Sequence, residues 1–390
     1  MDTPRPRPTK LLTARPEWQL VVVSSRRLKP PTYKHVLMTA DYLIIGQGVA
    51  GSVLAWTLDQ RGCSVIVADD PAQPSASAVA AGIVNPLTGR KLVRTWKADD
   101  LFPFLHQFYT GIEQELGVRF FHPKSIYRPF RSVAEQADYS TLVADPAVQP
   151  YVTQLPDNEQ YACCINNPLG GLEVTQGGWL DLTEFVRVIK GYFIRKNQYY
   201  EGRLVDDDLV IGERKVAWQG IQFGKVIFCD GVQGRDNSLF NYLPFNPVKG
   251  QILTAIAEQY TLKNIVNQGV FILPVRDGLI RIGATYSWHD LDWQSTDDGR
   301  AYLASKVESL LTVPYRVVAQ QAGIRPSTKD RRPFVGLHPK YPAVGIFGGM
   351  GSKGVSLVPY LAEQFARHLL NGEELEPEAN ISRCVSLYNH

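Results

Sequence analysis

Long apolar runs, a secretory leader and metal-type cysteine spacing are all missing from this 390-residue sequence. No stretch approaches the about 20 apolar residues that a membrane helix needs, and the first residues lack an apolar segment followed by a small-residue cleavage site. We therefore expect a soluble, cytoplasmic protein that makes no membrane contact. The five cysteines show no metal-ligand spacing, so free thiols are expected and no metal site is predicted. They are Cys63, Cys163, Cys164, Cys229 and Cys384.

Positive charge is concentrated at the N-terminus. Residues 1–37 hold eight Arg or Lys against two acidic side chains, whereas the rest of the chain carries a net negative charge. This Pro-rich extension precedes Met38, which we interpret as the natural start, and we expect the extension to be disordered or dispensable. Its charge leaves open a role as an arm that binds nucleic acid or a membrane.

A glycine-rich motif, Gly46-Gln47-Gly48-Val49-Ala50-Gly51, lies between a predicted strand over 42–45 and a predicted helix over 52–61. A second strand over 64–68 follows and ends on Asp69. This pattern is typical of a dinucleotide-binding βαβ unit, in which glycines let the backbone approach a pyrophosphate and the acid binds ribose hydroxyls. The adjacent carboxylates of Asp69 and Asp70 would repel the 2′-phosphate of NADP, which leaves NAD and FAD as the possible cofactors.

A second motif of the same spacing, Gly349-Met350-Gly351-Ser352-Lys353-Gly354, separates a predicted strand over 343–347 from a predicted helix over 355–370. Too few residues follow for another dinucleotide unit, so the motif is assigned to the first domain. Because a helix N-terminus is positive, this helix is predicted to stabilise negative charge on a flavin ring. Lys353 either helps the helix to stabilise this negative charge or is a solvated surface lysine.

These two motifs, with Ser77-Ala78-Val79-Ala80-Ala81-Gly82-Ile83 and the run from Ala322 to Asp330, carry a family resemblance. Over about residues 41–372 the chain resembles the D-amino-acid oxidase superfamily of FAD-dependent oxidoreductases. Within it, the chain is similar to glycine oxidase and to the FAD domain of the bacterial enzyme that removes a carboxymethyl group from a wobble uridine of tRNA. The short matching motifs are 177–180, 248–251, 283–286 and 351–354.

The resemblance implies an α/β fold in which a Rossmann-like FAD-binding domain of the glutathione-reductase type is interleaved with a substrate domain built on a mixed β-sheet. On this basis residues 38–84, 177–242 and 321–390 are assigned to the FAD-binding domain, and residues 85–176 and 243–320 to the substrate domain. A buried strand over 225–229 should bring Asp230 to the cofactor. The cofactor-binding residues expected from motif and resemblance are Gly46, Gly48, Val49, Ala50, Gly51, Asp69, Ala81, Gly82, Asp230, Gly231, Gly349, Met350, Gly351, Ser352, Lys353 and Gly354.

The resemblance also assigns chemistry. It places Arg325 where glycine oxidase binds the substrate carboxylate, a task suited to the planar guanidinium fork. The alternative is a structural arginine paired with Asp330 or with backbone carbonyls. Tyr286 either closes one side of the substrate pocket or is a packing residue at the end of a strand. The implied reaction is hydride transfer from the substrate carbon to N5 of noncovalent FAD without a protein base, so His289 and His338 are not expected to be catalytic.

The predicted function is therefore FAD-dependent oxidation of the C–N bond of a small amino acid or secondary amine that carries a carboxylate. One alternative is an enzyme that acts on a carboxymethylaminomethyl group of tRNA, with Arg331, Arg332 and Lys340 as a phosphate-binding patch. Another is a flavin-binding protein without catalysis. Arg281 falls where some amine oxidases of the superfamily have a lysine that assists dioxygen, which leaves the electron acceptor open.

Overall fold

The computed structural model describes residues 38–89, 91–153, 158–202, 204 and 208–388. The N-terminal extension over 1–37 and the predictions made for it lie outside these residues. Among the described helices, none combines the length and the apolar character that crossing a membrane requires.

The described residues form 21 strands and nine α-helices. The strands are β1 (Met38–Ile45), β2 (Val65–Asp69), β3 (Ile83–Val84), β4 (Leu87–Thr88), β5 (Val93–Arg94), β6 (Phe121–Pro123), β7 (Ile126–Pro129), β8 (Val152–Thr153), β9 (Gly171–Val174), β10 (Gly178–Leu180), β11 (Tyr199–Glu201), β12 (Val210–Ile211), β13 (Val216–Trp218), β14 (Ile221–Phe228), β15 (Val248–Ile256), β16 (Ile265–Asn267), β17 (Phe271–Arg276), β18 (Leu279–Gly283), β19 (Arg316–Arg325), β20 (Phe334–Leu337) and β21 (Val344–Gly348). The helices are α1 (Val49–Asp59), α2 (Ala76–Val79), α3 (Ala98–Leu116), α4 (Val133–Leu142), α5 (Glu159–Ala162), α6 (Leu182–Arg195), α7 (Asp297–Glu308), α8 (Gly354–Asn371) and α9 (Val385–Tyr388).

Both glycine-rich motifs directly follow strands of one eight-stranded sheet. Its order is β11-β2-β1-β14-β13-β12, and β21 pairs with both β14 and β20. Strands β2, β1, β14 and β21 are parallel neighbours. The apolar half of β1, over 42–45, is buried, as a strand covered on both faces requires. Helices α1, α6 and α8 contribute apolar side chains to the core beside this sheet. The result is the mixed α/β fold that the sequence predicts.

A second eight-stranded sheet has the order β19-β15-β18-β17-β16-β7-β9-β8 and is mixed, because β16 runs parallel to β7 whereas the other pairs are antiparallel. Strand β19 pairs with β15 from Arg316 to Arg325, with one register shift opposite Thr254 and Ala255. The boundary that the sequence predicts at residue 321 therefore falls inside β19, and this sheet extends to Arg325. A small sheet, β3-β10-β6, joins strands from both predicted domains. Strands β3 and β10 fall in the predicted FAD-binding domain, and β6 falls in the predicted substrate domain.

Candidate active site

The two glycine-rich turns lie side by side at one edge of the first sheet. Each turn follows the carboxyl end of a parallel strand, β1 or β21, and Asp230 follows β14 between them. A Cβ added to Gly354 would lie 3.4 Å from Cγ1 of Val49, so the N-termini of α8 and α1 are in contact. Carboxyl ends of parallel strands are the usual ligand-binding edge of such a sheet.

Asp69 holds the first turn in place. Its Oδ1 accepts a hydrogen bond from the backbone N–H of Gln47 at 2.9 Å, and its Oδ2 accepts one from the hydroxyl of Tyr199 at 3.4 Å. Burial, with the nearby Asp69 charge, raises the pKa of Tyr199 to about 12. The sequence motif identifies Asp69. Tyr199 belongs to β11, and no motif near it in the sequence indicates that it contacts this turn.

The segment after α2 touches the small sheet closely. Gly82 has a φ of +71°, and a Cβ there would lie 2.0 Å from the carbonyl oxygen of Leu180. The N–H of Leu180 donates to the carbonyl of Gly82 at 3.0 Å. Ala81 is buried beside it. Only glycine fits at position 82, and its fit brings the segment against β10.

Arg325 lies at the end of β19 with its guanidinium across Gly250 of β15. A Cβ on Gly250 would lie 2.2 Å from Nη2 of Arg325, so the absence of a side chain at 250 makes room for the guanidinium. Both terminal nitrogens donate to the carbonyl of Thr285 at 3.3 Å, and Nη1 donates to that of Lys249 at 3.4 Å. The Arg325 Cζ is 4.2 Å from the centroid of the Tyr286 ring.

Among the residues that the structure describes, Arg325 forms no ion pair. Pairing with Asp330, the structural alternative, is wrong, because Asp330 accepts from Nε of Arg383 at 2.9 Å. The carbonyl contacts of the other alternative are present, but they leave the charge of the guanidinium uncompensated. Burial accordingly lowers the pKa of Arg325, against the opposing effect of Tyr286. A carboxylate ligand would supply the missing negative charge.

Of the other candidate side chains, Tyr286 lies closest to Arg325. It is 58% exposed, and one face of its ring is against the guanidinium. Arg281 donates to the carbonyls of Val79 and Ala80, which ties β18 to the segment before Gly82. His338 is buried, where its Nδ1 accepts from two backbone N–H groups, and His289 is exposed.

Comparison with known proteins decides the family. A profile of the FAD-dependent oxidoreductases (DAO) matches residues 41–368. The chain belongs to this family of enzymes. Glycine oxidase of Pseudomonas aeruginosa is 25% identical over 362 residues, which are 86% of this chain and 96% of that protein. The tRNA 5-methylaminomethyl-2-thiouridine biosynthesis bifunctional protein MnmC of Vibrio campbellii is 24% identical over 377 residues, 84% of this chain, which spans only 55% of its length. The crystal structure of glycine oxidase from Bacillus cereus matches with a TM-score of 0.70 at 20% identity, over 86% of this chain and 96% of that one.

The two glycine turns fit FAD, the cofactor of this family. Helices α1 and α8 both begin without a side-chain cap from their own N-cap residue and without an acidic residue in the first turn, so no carboxylate of the first turn competes for their N-termini. Such N-termini bind phosphate and other negative charge. Ser77, which belongs to the resemblance motif but was not among the expected cofactor-binding residues, lies at the start of α1, where its Oγ accepts from the N–H of Val49 at 3.0 Å.

Lys353, at the start of α8, is half-buried rather than a solvated surface lysine. Its Nζ donates to Oγ1 of Thr95 at 3.2 Å, and within the described part of the chain it has no carboxylate partner. Burial lowers the pKa of Lys353, and the charges of Arg332 and Arg331 lower it further. The start of α8 in this FAD enzyme is therefore electropositive, since it combines the helix N-terminus with these three positive side chains. The neighbouring turn is tied to the Arg325 strand, since the N–H of Gly351 donates to the carbonyl of Pro326 at 3.1 Å.

Proposed function

We propose that this FAD-dependent enzyme oxidises the C–N bond of a small amino acid or secondary amine that carries a carboxylate. The observation that carries the proposal is the half-buried Arg325 guanidinium, which lacks a carboxylate partner among the described residues and lies at the end of β19 next to the second glycine turn. The glycine oxidase of Pseudomonas aeruginosa, matched over 96% of its length, supports the same substrate chemistry.

The chain's own part in this reaction is to bind and orient. Arg325 holds the substrate carboxylate through charged hydrogen bonds, Gly250 leaves the space that this geometry needs, and Tyr286 forms the outer wall. The N-termini of α1 and α8 would hold FAD noncovalently, and FAD bound there would supply the two-electron acceptor for the hydride of the substrate carbon. The substrate nitrogen, deprotonated beforehand, becomes the nitrogen of an imine, and water hydrolyses this imine to a carbonyl compound and an amine.

The second candidate is action on a carboxymethylaminomethyl group of tRNA. It is favoured by the similarity to MnmC, whose match to this chain is as extensive as that of glycine oxidase. The proposed phosphate-binding patch is less supported, because Arg332 already pairs with Glu378 at 3.1 Å. A tRNA that carries the modified uridine is therefore included in the test below.

The test is anaerobic mixing of the purified yellow protein with candidate substrates while the flavin absorbance is followed. Glycine, N-methylglycine and D-alanine probe the lead proposal, and modified tRNA probes the second candidate. Reduction by a carboxylate-bearing amine supports the lead. Reduction by tRNA alone would replace it with the second candidate, and a protein without flavin would overturn the cofactor assignment. Heat denaturation that releases all the flavin checks noncovalent binding.

The role of Arg325 is tested by Arg325→Met, which keeps an unbranched side chain and removes the charge. We expect kcat/KM for carboxylate substrates to fall by about 2–5 kcal/mol, or roughly 30- to 5000-fold, the scale for removing one partner of a buried charge pair. Arg316→Met, at the exposed opposite end of β19, is the matched control. Equal kinetics for the two variants would reject the role given to Arg325.

A further inference from the structure

The loop that follows β18 exposes an unusual pair of aromatic side chains. Tyr286 is 58% exposed and Trp288 is 56% exposed. Among the aromatic side chains that the structure describes, these two have the highest exposure, followed by Tyr302 of α7 at 48%. Clustered exposed apolar surface of this kind marks a binding site more often than isolated exposure does.

The loop is firmly attached, so this exposure does not come from a loose segment. Ser287 and Lys249 exchange two backbone hydrogen bonds of 2.8 and 3.0 Å. The Lys249 side chain is only 2% exposed, and its Nζ forms an ion pair with Asp292 farther along the same loop. The N–H of Gln251 also donates to Oγ1 of Thr285 at 2.9 Å. Three attachments to β15 therefore fix the backbone that carries both rings.

One of the two rings lies directly on the carboxylate-binding group. The Cζ of Arg325 is 4.2 Å from the centroid of the Tyr286 ring. Ser287 follows and forms a single bridge with Lys249, and Trp288 begins the bend after it, so the second ring is carried two residues farther along the same anchored loop. Trp288 itself makes no ring contact within the described part of the chain.

Two sides of the strand end that carries Arg325 are covered. The backbone of Gly250 lies directly against the guanidinium. At Gly323, two residues before Arg325 on β19, an added Cβ would lie 3.1 Å from the Val79 side chain, so α2 covers this strand. The exposed ring of Tyr286 lies on a further side, and a substrate held by Arg325 that extends over this ring would reach the loop that carries Trp288.

We propose that Tyr286 and Trp288 bind a planar aromatic group on the substrate nitrogen. The preferred substrate class is then an N-(arylmethyl)glycine, a secondary amine with a carboxylate at one end and a ring at the other, rather than free glycine. The inference rests on the proposed function and deepens it. A planar ring gains stacking on the two side chains, whereas glycine leaves both in water.

The experiment compares N-benzylglycine with N-methylglycine on the flavin-loaded enzyme, by anaerobic flavin reduction. Both are secondary amines with the same carboxylate, so the ratio of their kcat/KM values isolates the ring. We expect N-benzylglycine to be favoured about tenfold or more. N-(cyclohexylmethyl)glycine, of similar size but not planar, should show a clearly smaller advantage.

Variants assign the advantage to the loop. Trp288→Ala is expected to lower the N-benzylglycine to N-methylglycine ratio by about tenfold, and Trp288→Phe to keep most of it. Tyr302→Ala, which removes an exposed aromatic from α7, is the matched control and should leave the ratio unchanged. Flavin content and thermal stability show that each variant is folded.

The outcomes separate the two proposals. Equal rates for N-benzylglycine and N-methylglycine, or a ratio that survives Trp288→Ala in a folded variant, would overturn the inference and leave the proposed function standing. Failure of every carboxylate-bearing amine to reduce the flavin would overturn both. A preference for N-benzylglycine that depends on Trp288 supports both.

Discussion

Replacing Gly250 with alanine would move Arg325 without removing any of its atoms. An ideal Cβ at this position would lie 2.2 Å from Nη2, 2.4 Å from Cζ and 2.5 Å from Nη1 of Arg325. Carbon atoms that are not bonded to each other pack at about 3.5–4.0 Å, so the guanidinium must move by roughly 1 Å or more. Because it is the end of a flexible side chain, it can swing aside at little expense to the fold. The charge then no longer lies where the substrate carboxylate binds.

The size of the effect follows from that displacement. Misplacing a positioning group by about 1 Å costs on the order of 100-fold in rate, or about 2.7 kcal/mol. We expect Gly250→Ala to lower kcat/KM for a carboxylate-bearing amine about 100-fold. The flavin content should match that of the wild type, and the melting temperature should change by only a few degrees. Anaerobic flavin reduction and thermal unfolding measure the two quantities.

Gly111→Ala provides the matched control. Gly111 lies on the exposed side of α3, and nothing would lie within 4 Å of a Cβ added there. This variant should retain full activity and gain about 0.5–1 kcal/mol of stability, the usual gain for glycine to alanine within a helix. Wild-type kinetics for Gly250→Ala would refute the placement of the guanidinium. A large loss of stability and flavin would show instead that the fold, and not Arg325, absorbs the clash.

Two further predictions concern the cofactor turn and the aromatic loop. Gly51→Ala would put a Cβ 1.8 Å from the carbonyl oxygen of Gly46, and because backbone cannot swing aside, we expect loss of bound flavin, measured as flavin absorbance per chain; normal flavin content would contradict the packing argument. Asp292→Asn should destabilise the protein near pH 7, because Lys249 holds the pKa of Asp292 below its usual value of about 3.9. The stabilisation by Asp292 is present above that value and is lost as the pH falls through the lowered folded pKa. The melting temperatures of the two proteins should therefore converge only below about pH 4. A gap in melting temperature that does not change with pH would contradict the ion-pair argument.

The first βαβ unit was predictable because its signals are local. A buried strand, three glycines at fixed spacing, a helix and a terminal acid all fall within one short stretch of chain, and β1, α1 and β2 appear there. The second glycine turn was equally visible. The parallel pairing of β21 with β14 brings this turn to the same sheet edge as the first.

The surroundings of the site could not be predicted in the same way, because distant segments create them. Arg325 has its geometry only because the pairing of β15 with β19 brings a glycine beneath it. Lys353 is half-buried because Thr95 lies against its ammonium group. The boundary expected at residue 321 lies inside β19 for a related reason. The run around Arg325 looked like part of the following flavin segment, whereas its backbone hydrogen bonds belong to β15.

The two ends of the proposed substrate bind to elements of different rigidity. Arg325 is carried by the part of β19 that pairs regularly with β15, from Ala319 to Arg325, so the carboxylate site has little freedom. Tyr286 and Trp288 lie on a loop, and loops accept changes of sequence that a paired strand does not. The carboxylate requirement is therefore built into the sheet, whereas the nitrogen substituent is selected by the loop. It follows that changes within 286–296 should alter the preference for that substituent while the requirement for a carboxylate persists.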